Sequence, residues 1–599
     1  MLNSRYKSFC DLDADHIRKE LLKTNDDYAE GKPFKVCDVA SLFVAAAYLG
    51  SECVDDKEDF RKRAYNCFLS EDRSDFTAAW ELIGVLTEGK ENVTVSVPVK
   101  ILKGGSYKIK NYYLENYNLN EIRGASILLT YVEDKLIRDI ISEKYIPECI
   151  VYCGGGNIFA VVPENCDESF TVSLENEAKK YLISADTAYY LSDPTDLSVL
   201  FGRKYKAKMA EVENQLNDRK KLIINTGVSS YYSSDTYPLT IPESTEGMDD
   251  SIDVTINRKL FTKKAVCSSC GRRPGIYSSG KNEPICLSCL HKRMIGENAK
   301  TEKYLSMYEN YNGKKANNRV YSLGDLKDSE GYIAVVYGDG NNMGGIIQQF
   351  TNITQMMKFS RDVKDIAARA VFESMGENGI EKFEVVGLGG DDIFVIVSGT
   401  KAIRFAVSLI KKYNEKFMDY KETTGQVSTM SVGIAIAKHN TPVQIILEEA
   451  ENQLSEAKSE VKKYQDNKGS MSFRILDSFD SPDEKEQSDI HDTMLPYLTE
   501  TAESVLNFAD KFRNDRKLGK TALRNILDAF SMAESDSEAN LFFEYYQAKN
   551  SKINMPEIAK YKADGGYYIR TEDDGMSGND SSNEKYYLWK DLLNIIDFI

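Results

Sequence analysis

Runs of apolar residues in the second half of the chain alternate between short strands and longer amphipathic helices. Tyr332-Ile333-Ala334-Val335-Val336-Tyr337 is typical of a buried strand, and two more apolar runs flank the turn sequence Gly389-Gly390-Asp391-Asp392. In chain order, the pattern predicts a strand from Tyr332, a helix to about Met375, a strand, the hairpin, a strand to Ser398, a helix from about Ala402 to Lys416, a strand from Ser428 to Ala437 and a helix from Val443 to Lys463. This βαββαβα order predicts a ferredoxin-like palm.

Three aspartates fall where the predicted strands of this palm end. Asp339 follows the first strand, in the loop Gly338-Asp339-Gly340-Asn341-Asn342-Met343-Gly344, and Asp391 and Asp392 occupy the hairpin. Carboxylates about 4 Å apart repel by roughly 4 kcal/mol per pair at an effective dielectric near 20. A pair of Mg²⁺ or Mn²⁺ ions would relieve that repulsion. The pattern therefore predicts a nucleotidyl-transfer site in which these three aspartates are the catalytic residues and metal ligands.

Residues around the three aspartates are candidates for binding a nucleotide. Glycine permits positive φ and lets a phosphate or a base approach the backbone, and free amides at a helix start suit a triphosphate. A lysine late on the last predicted helix would reach the same phosphates. The predicted nucleotide-binding residues are Gly340, Asn341, Asn342, Gly344, Gly389, Gly390 and Lys458. The competing interpretations are a surface β-turn for the hairpin and an exposed, dipole-complementing charge for the lysine.

Two Cys-x-x-Cys pairs, Cys267 with Cys270 and Cys286 with Cys289, are separated by 15 residues. This spacing predicts a tetrahedral, structural zinc ribbon. The chain has 11 cysteines, an odd number that argues against a disulfide framework. The other seven show no ligand spacing, and we expect them to be small hydrophobic residues.

These features together resemble the polymerase-type large subunit of type III CRISPR-Cas interference complexes, a family related to GGDEF diguanylate cyclases and nucleotidyl cyclases. The resemblance rests on the Asp339 loop, the Gly-Gly-Asp-Asp hairpin, the zinc ribbon and Tyr152-Cys153-Gly154-Gly155-Gly156-Asn157-Ile158-Phe159, which is similar to an inactive first-palm hairpin. It covers about residues 95 to 599 and is closer to the type III-B form. It implies an α+β multidomain fold with two ferredoxin-like palm domains, a zinc ribbon and a C-terminal helical bundle.

Polar breaks in the sequence place the domain boundaries. Apolar residues at helical spacing from Met494 to Ala509 and from Leu518 to Ala533 predict the C-terminal bundle. Many relatives begin with a His-Asp nuclease domain, but four histidines in the whole chain are too few to suggest one here. The predicted domains are an N-terminal helical segment (1–90), a degenerate first palm (91–235), a linker with the zinc ribbon (236–325), the catalytic second palm (326–478) and a C-terminal helical domain (485–599).

The resemblance implies an enzyme of antiviral defence that makes a cyclic oligoadenylate messenger from ATP when target RNA is bound. A ribose hydroxyl would attack the α-phosphate of ATP, while the first palm would hold the acceptor molecule. The implied partners are the backbone subunits, the small subunits and the subunit that binds the 5′ end of the crRNA, with crRNA and target RNA held through the complex.

Three alternatives stay open. Some relatives join ATP to S-adenosylmethionine (SAM), making a SAM-AMP messenger, and a symmetric diguanylate or mononucleotide cyclase would also use the hairpin. The third is a non-catalytic scaffold. Asn341 stands where many relatives carry a second aspartate. This difference keeps both the SAM-AMP product and the non-catalytic scaffold open.

Composition limits how the chain meets nucleic acid. It carries 76 basic and 93 acidic residues, a formal net charge of −17. Since this charge repels phosphates, we expect the isolated chain to bind RNA weakly, which a low-salt titration would test. No apolar run approaches the roughly 18 residues of a membrane span and the start has no apolar signal core, so we expect a cytoplasmic protein.

Overall fold

The fold consists of two compact units, described here from a computed structural model. Unit 1 is formed by Met1–Glu302 with Gly344–Asp365, and unit 2 by Lys303–Met343 with Ile366–Ile599. The structure describes residues 38–51, 54–70, 72–87, 93–116, 118–222, 265–278, 283–298, 302–316, 320–424, 427–463, 468–476 and 495–514, with short pieces between 541 and 598. The predicted helical pattern from Leu518 to Ala533 and the linker up to residue 264 lie outside the described residues.

Three helices open the described part of unit 1: α1 (Asp38–Leu49), α2 (Lys57–Leu69) and α3 (Thr77–Thr87). Aromatic rings join them, because Phe43 contacts Trp80 with centroids 4.7 Å apart and Phe68 stacks on the same indole at 5.7 Å. Asp56 caps α2 by accepting from the amides of Glu58 and Asp59. The apolar stretch that begins at Asp38 therefore folds as the buried helix of this small cluster.

The first sheet of unit 1 has the ferredoxin-like strand order. Its strands are β1 (Pro98–Tyr107), β2 (Ile150–Gly154), β3 (Asn157–Pro163), β4 (Asp186–Leu191) and the short β5 (Thr195–Asp196). They run in the order β2-β3-β1-β4, with β5 also paired to β1, and every pairing is antiparallel. The helices are α4 (Ile109–Leu114), α5 (Leu119–Tyr131), α6 (Ile137–Lys144), α7 (Glu168–Tyr181) and α8 (Tyr205–Leu222), and a π-helical turn (Val132–Leu136) joins α5 to α6.

Unit 1 also contains the cysteine pairs. Two short strands, β6 (Tyr277–Ser278) and β7 (Pro284–Ile285), form an antiparallel hairpin, and α9 (Leu287–Asn298) follows it. This small module contacts α5 so closely that a Cβ added at Gly124 would lie 1.8 Å from the Lys292 carbonyl oxygen. The ribbon is therefore seated directly on the first palm.

The sheet of unit 2 repeats the ferredoxin-like order and extends it. The strands are β8 (Tyr332–Asn341), β9 (Glu384–Gly389), β10 (Asp392–Ser398), β11 (Thr429–Lys438), β12 (Ser470–Leu476) and β13 (Tyr497–Leu498), in the order β13-β12-β11-β8-β10-β9. The helices along this part of the chain are α10 (Glu302–Asn312), α11 (Met343–Ile347), α12 (Ile353–Glu377), α13 (Gly399–Thr424), α14 (Val443–Val461) and α15 (Thr499–Asn514). Of these, α11 from Gly344 onwards and α12 up to Asp365 belong to unit 1. A two-stranded piece, β14 (Tyr568–Ile569) with β15 (Lys585–Tyr586), lies near the C-terminus. The predicted α+β class with two palm sheets is confirmed.

Three details of the second palm differ from the sequence prediction. Asp339 lies inside β8, which continues to Asn341, and not in a loop after the strand. The single helix expected up to Met375 is divided into α11 and α12. Strand β12, which pairs parallel to β11, was not predicted. The longer β8 is stabilised because β11 pairs with it along its whole length, from Thr429 opposite Asn341 to Lys438 opposite Tyr332.

Apolar side chains fill the two faces of the central strands of unit 2. Strand β11 is buried from its first residue to its ninth, and α14 lies so close that a Cβ on Gly433 would be 2.1 Å from the Leu454 nitrogen. The position therefore admits only glycine without displacing the helix. In the described part of the chain, no helix combines the length and the apolar character that a bilayer crossing requires.

Candidate functional site

The hairpin between β9 and β10 brings the acidic pair beside the end of β8. Asp392 begins β10 opposite Gly389, and the next residue, Ile393, pairs with Gly338, which directly precedes Asp339. Gly390 has φ of +61°, the left-handed conformation that this tight turn requires. The tip of the hairpin is thereby placed next to the strand position of Asp339.

The contact between strand and hairpin leaves no room for a side chain at Gly340. A Cβ added there would lie 2.6 Å from the Tyr413 hydroxyl and 2.9 Å from the Asp391 Cβ. The absence of a side chain at Gly340 therefore allows Asp391 and Tyr413 to pack closely against its backbone. Its predicted contact with a nucleotide stays a prediction.

The acids act on the ionisation of their neighbours. Burial, together with the charge of Asp339, raises the pKa of Asp391 to about 6, while Lys458 opposes the shift. Burial, reinforced by Asp391, holds the pKa of the Tyr413 hydroxyl well above its usual value. Negative charge is thus concentrated at this end of the sheet, and oxygen ligands with excess negative charge fit Mg²⁺ or Mn²⁺.

Lys458 projects from the last turn of α14 to the same place. Its Nζ lies 2.5 Å from Asp339 Oδ1, and its side chain is 32% exposed. In the described part of the chain, only the four cysteines bring three or more acidic, histidine or cysteine ligand atoms within 4.8 Å of one another. Among the described residues, the three aspartates do not form such a cluster.

The other predicted nucleotide-binding residues differ in their surroundings. Gly344 is exposed on α11 with open space around its Cα, and Gly389 ends β9. Asn342 is exposed with φ of +60°, and its Nδ2 donates to the Val427 carbonyl at 3.4 Å. Asn341, in contrast, is buried and bonded to Thr429 and Ser431. Their roles toward a nucleotide stay predictions.

Polar residues of β11 and of the segment before it belong to the site and were not predicted from the sequence. Ser428 Oγ donates to the Asn341 carbonyl at 2.8 Å and lies 3.2 Å from Met343 Sδ. The signal was present, because Ser428, Thr429 and Ser431 interrupt the start of an otherwise apolar strand. A buried hydroxyl in a central strand needs a partner, and here the partners are at the end of β8.

The sequence of this palm matches a known family. Residues 332–466 match the model of the Cas10/Cmr2 family, second palm domain. The second palm is therefore similar to the second palm of Cas10/Cmr2 proteins. The predicted resemblance to the polymerase-type large subunit of type III CRISPR complexes is thereby confirmed. No curated protein matches the chain.

Solved structures share the fold at low sequence identity. A Csm1-Csm4 cassette in complex with one ATP has a TM-score of 0.51 and 14% identity, over 97% of this chain and 80% of that chain. Csm1 in T. onnurineus gives 0.49 and 12%, over 90% and 73%, and a Csm1-Csm4 cassette in complex with cA4 gives 0.48 and 14%, over 90% and 74%. At these identities the likeness of the first structure establishes the fold.

Strand register relates the first palm to the second palm position by position. Gly104 pairs with Ile158 in the first sheet as Gly338 pairs with Ile393 in the second. The positions of Asp339, Asp391 and Asp392 are therefore taken by Gly105, Gly156 and Asn157. A Cβ on Gly105 would lie 2.0 Å from the Gly156 carbonyl oxygen, so the two backbones leave no space for a side chain at this position. The first palm carries none of the three acids at these positions, as its Gly-Gly-Gly string suggested.

The four cysteines meet the requirements of a zinc site. All four are buried, their sulfur atoms lie within 4.8 Å of one another, and Cys270 Sγ is 3.9 Å from Cys286 Sγ. A tetrahedron with Zn–S bonds of about 2.3 Å has edges of about 3.8 Å. Arg273 Nε donates to Cys286 Sγ at 3.4 Å, and Asn116 Nδ2 donates to Cys289 Sγ at 3.1 Å. These donors suit thiolates, so the residues fit the predicted structural Zn²⁺.

Proposed function

We propose that this chain is the nucleotide-polymerising subunit of a type III CRISPR effector complex and makes a cyclic oligoadenylate from ATP when target RNA is bound. The observation that carries the proposal is the acidic hairpin of a Cas10/Cmr2 palm lying against the Asp339 strand. The fold shared with a Csm1-Csm4 cassette bound to ATP supports ATP as the substrate. Other subunits of the complex, crRNA and target RNA are the proposed partners.

The roles of the residues follow from their positions. Asp339, Asp391 and Asp392 would hold two Mg²⁺ or Mn²⁺ ions, which would supply activation of the attacking ribose hydroxyl and charge neutralisation at the leaving pyrophosphate. Gly390 keeps the hairpin tight enough for close approach of the nucleotide. Lys458, whose Nζ lies 2.5 Å from Asp339 Oδ1, would bind a phosphate oxygen of the nucleotide beside the acids.

The net charge of −17 agrees with a subunit that senses RNA through an assembly. A chain of this charge repels phosphates, so the partner subunits of the complex bind crRNA and target RNA. Activation by target RNA then reaches the palm through contacts between subunits. The localisation proposed for such an assembly is the cytoplasm.

The test uses the reconstituted complex with target RNA, Mg²⁺ and labelled ATP, with and without S-adenosylmethionine. The proposal expects RNA-dependent conversion of ATP to cyclic oligoadenylate without added SAM, and loss of conversion in an Asp391→Ala, Asp392→Ala variant. Glu381→Ala, an exposed acid of the same unit, is the matched control and retains activity.

Each other outcome points to one alternative. A product that forms only when SAM is present would replace the oligoadenylate by a SAM-AMP conjugate. If wild type consumes no more ATP than the double alanine variant, the chain is a scaffold in the complex and the catalytic proposal is lost.

A further inference from the structure

A continuous line of buried polar side chains runs from the end of β8 to α14. Asn341 Nδ2 lies 3.0 Å from Thr429 Oγ1, and Asn341 Oδ1 lies 3.0 Å from Ser431 Oγ. Ser431 Oγ lies 3.0 Å from Ser470 Oγ on β12, and Ser470 Oγ donates to the Ala457 carbonyl at 2.7 Å. Both serines are fully buried. The line therefore joins three strands and ends one residue before Lys458.

Each hydroxyl in this line has a single proton to donate, which determines the direction of the bonds. The Ala457 carbonyl only accepts, so the proton of Ser470 is used there. The contact between the serines then requires Ser431 to donate to Ser470. Ser431 therefore has no proton to donate to the side chain of residue 341, and this hydrogen bond requires a donor on residue 341.

The carboxamide of Asn341 supplies that donor. A half-turn about its last side-chain torsion exchanges the nitrogen and the oxygen, which have nearly the same shape. In this orientation Nδ2 donates to Ser431 Oγ, and Oδ1 accepts from Thr429 Oγ1. Every hydrogen bond of the line then has one donor and one acceptor. A carboxylate at this position has no proton to offer, so either its contact with Ser431 would lack a proton or the bond from Ser470 to the Ala457 carbonyl would be lost.

The line fixes the helix that carries Lys458. Asp339 stands opposite Ser431 across β8 and β11, and Lys458 Nζ reaches Asp339 Oδ1 from α14. The bond from Ser470 to the Ala457 carbonyl holds the last turn of α14 against the sheet at this level. A shift of this turn moves the ammonium relative to the acids.

We propose that Asn341 is a positioning residue, which holds the Lys458 turn of α14 against the Asp339 strand through Ser431 and Ser470, and that this position requires a carboxamide and not a second metal-binding carboxylate. The inference rests on the proposed function for its catalytic consequence. It gives the departure from the family's second aspartate a physical reason.

The experiment compares wild type with Asn341→Asp, Ser431→Ala and Ser470→Ala in the full chain within the complex. Ser374→Ala, a fully buried serine bonded to Ser408 on a different pair of helices, is the matched control. Three quantities are measured: hydrogen exchange of the peptide containing residues 454–463, Mn²⁺ affinity by electron paramagnetic resonance, and KM and kcat for ATP.

We expect faster exchange in residues 454–463 and a KM for ATP raised about fivefold in all three variants, the effect of one lost hydrogen bond, with kcat changed less. Asn341→Asp should bind Mn²⁺ no more tightly than wild type. The control should match wild type in every measurement.

Two results would overturn the inference: exchange and KM at wild-type values in Ser431→Ala and Ser470→Ala, or Mn²⁺ affinity and kcat raised about tenfold in Asn341→Asp, as expected of a new metal ligand. If wild type binds no Mn²⁺ and consumes no ATP, the proposed function fails, while the exchange data still decide whether the line positions α14.

Discussion

Glu133, in the π-helical turn of the first palm, is buried with an incomplete set of hydrogen bonds. Its Oε2 accepts from the Gly156 amide at 2.8 Å, whereas Oε1 has no hydrogen-bond partner among the described residues. Burial, together with the charge of Asp134, raises the pKa of this carboxyl to about 8, while the Gly156 amide, Lys364 and the Ser106 side chain oppose the shift. Glu133 is therefore protonated near neutral pH. It is hydrogen-bonded to the first-palm hairpin, which stands at the positions of the acids of the second palm.

This carboxyl makes the stability of the first palm depend on pH. Because its pKa in the folded chain, about 8, exceeds the usual 4.5, its contribution is full below about pH 4.5 and is lost as the pH rises to about 8. Glu133→Gln, which keeps an acceptor for Gly156 and adds a donor, should remove this dependence. We expect the variant to exceed wild type in unfolding free energy by on the order of 3 kcal/mol at about pH 8, and by much less at about pH 5.

Thermal unfolding of the two proteins across this pH range tests the prediction. Glu164→Gln, an exposed glutamate of the same unit, is the control and should follow wild type. Parallel curves for wild type and Glu133→Gln would show that Glu133 is charged in the fold and would contradict the assignment.

Gly340 offers a residue-scale test of the geometry around the acids. Because a Cβ there would meet both Tyr413 and Asp391, Gly340→Ala should displace the hairpin. We expect a stability loss of about 1 to 3 kcal/mol and a fall in ATP turnover of roughly 100-fold. Gly387→Ala is the matched control on the same hairpin, since its Cβ would make ordinary contact with Phe394 at 3.6 Å. Equal turnover in the two variants would mean that the close approach at Gly340 is not needed.

Sequence reasoning at the scale of residues found the charged groups and missed the neutral ones. Asp391 and Asp392 were identifiable because two acids after two glycines between apolar runs mark a hairpin. Lys458 was expected near phosphates; its Nζ pairs with Asp339 Oδ1, and its contact with a phosphate stays a prediction. The bonds of Asn341 and the burial of Glu133 depend on residues 88 and 23 positions away in the chain, to which no local pattern points.

At the scale of elements, the zinc ribbon shows which features local spacing encodes. Two Cys-x-x-Cys pairs were enough to predict the cluster, because a small metal module depends on few tertiary contacts. The attachment of the ribbon to the first palm was not predicted. Lys292 on α9 is fully buried and bonds to Glu115 Oε1 at 2.5 Å, to Asn116 Oδ1 at 2.9 Å and to the Tyr112 carbonyl at 2.7 Å.

This attachment predicts that zinc supports more than the ribbon. Cys289→Ser should lower bound zinc from about one ion per chain and, by releasing α9, expose the α4 and α5 helices to faster hydrogen exchange. Cys67→Ser, a buried cysteine outside the cluster, is the control and should keep both zinc and protection. Elemental analysis and exchange of residues 109–131 measure the two effects. Full protection of this segment in zinc-free protein would contradict the coupling.

Strand β12 was missed although its pattern is visible. Ser470-Met471-Ser472-Phe473 alternates polar and apolar residues with the period of a strand. It lies beyond the four strands that a ferredoxin-like palm needs, so the expected topology offered no place for it. Helix α14 connects β11 to β12 and packs against both strands, which pair in parallel.

For the whole molecule, the two palm sheets were predictable but the division into compact units was not. The predicted catalytic domain, 326–478, stays a prediction; the compact units divide the chain in another way, with Gly344–Asp365 in unit 1. Lys364 of that segment forms an ion pair with Asp134 at 3.0 Å. Periodicity reports which face of a helix is buried, but it does not report against which partner.

The catalytic account depends on divalent cations shared by the acids of the second palm. The most direct test is a titration of Mn²⁺ into the zinc-loaded chain with a non-hydrolysable ATP analogue, followed by electron paramagnetic resonance. We expect about two protein-bound ions in wild type and loss of both in Asp391→Ala, Asp392→Ala and in Asp339→Ala. Equal Mn²⁺ binding by wild type and these variants would contradict the account.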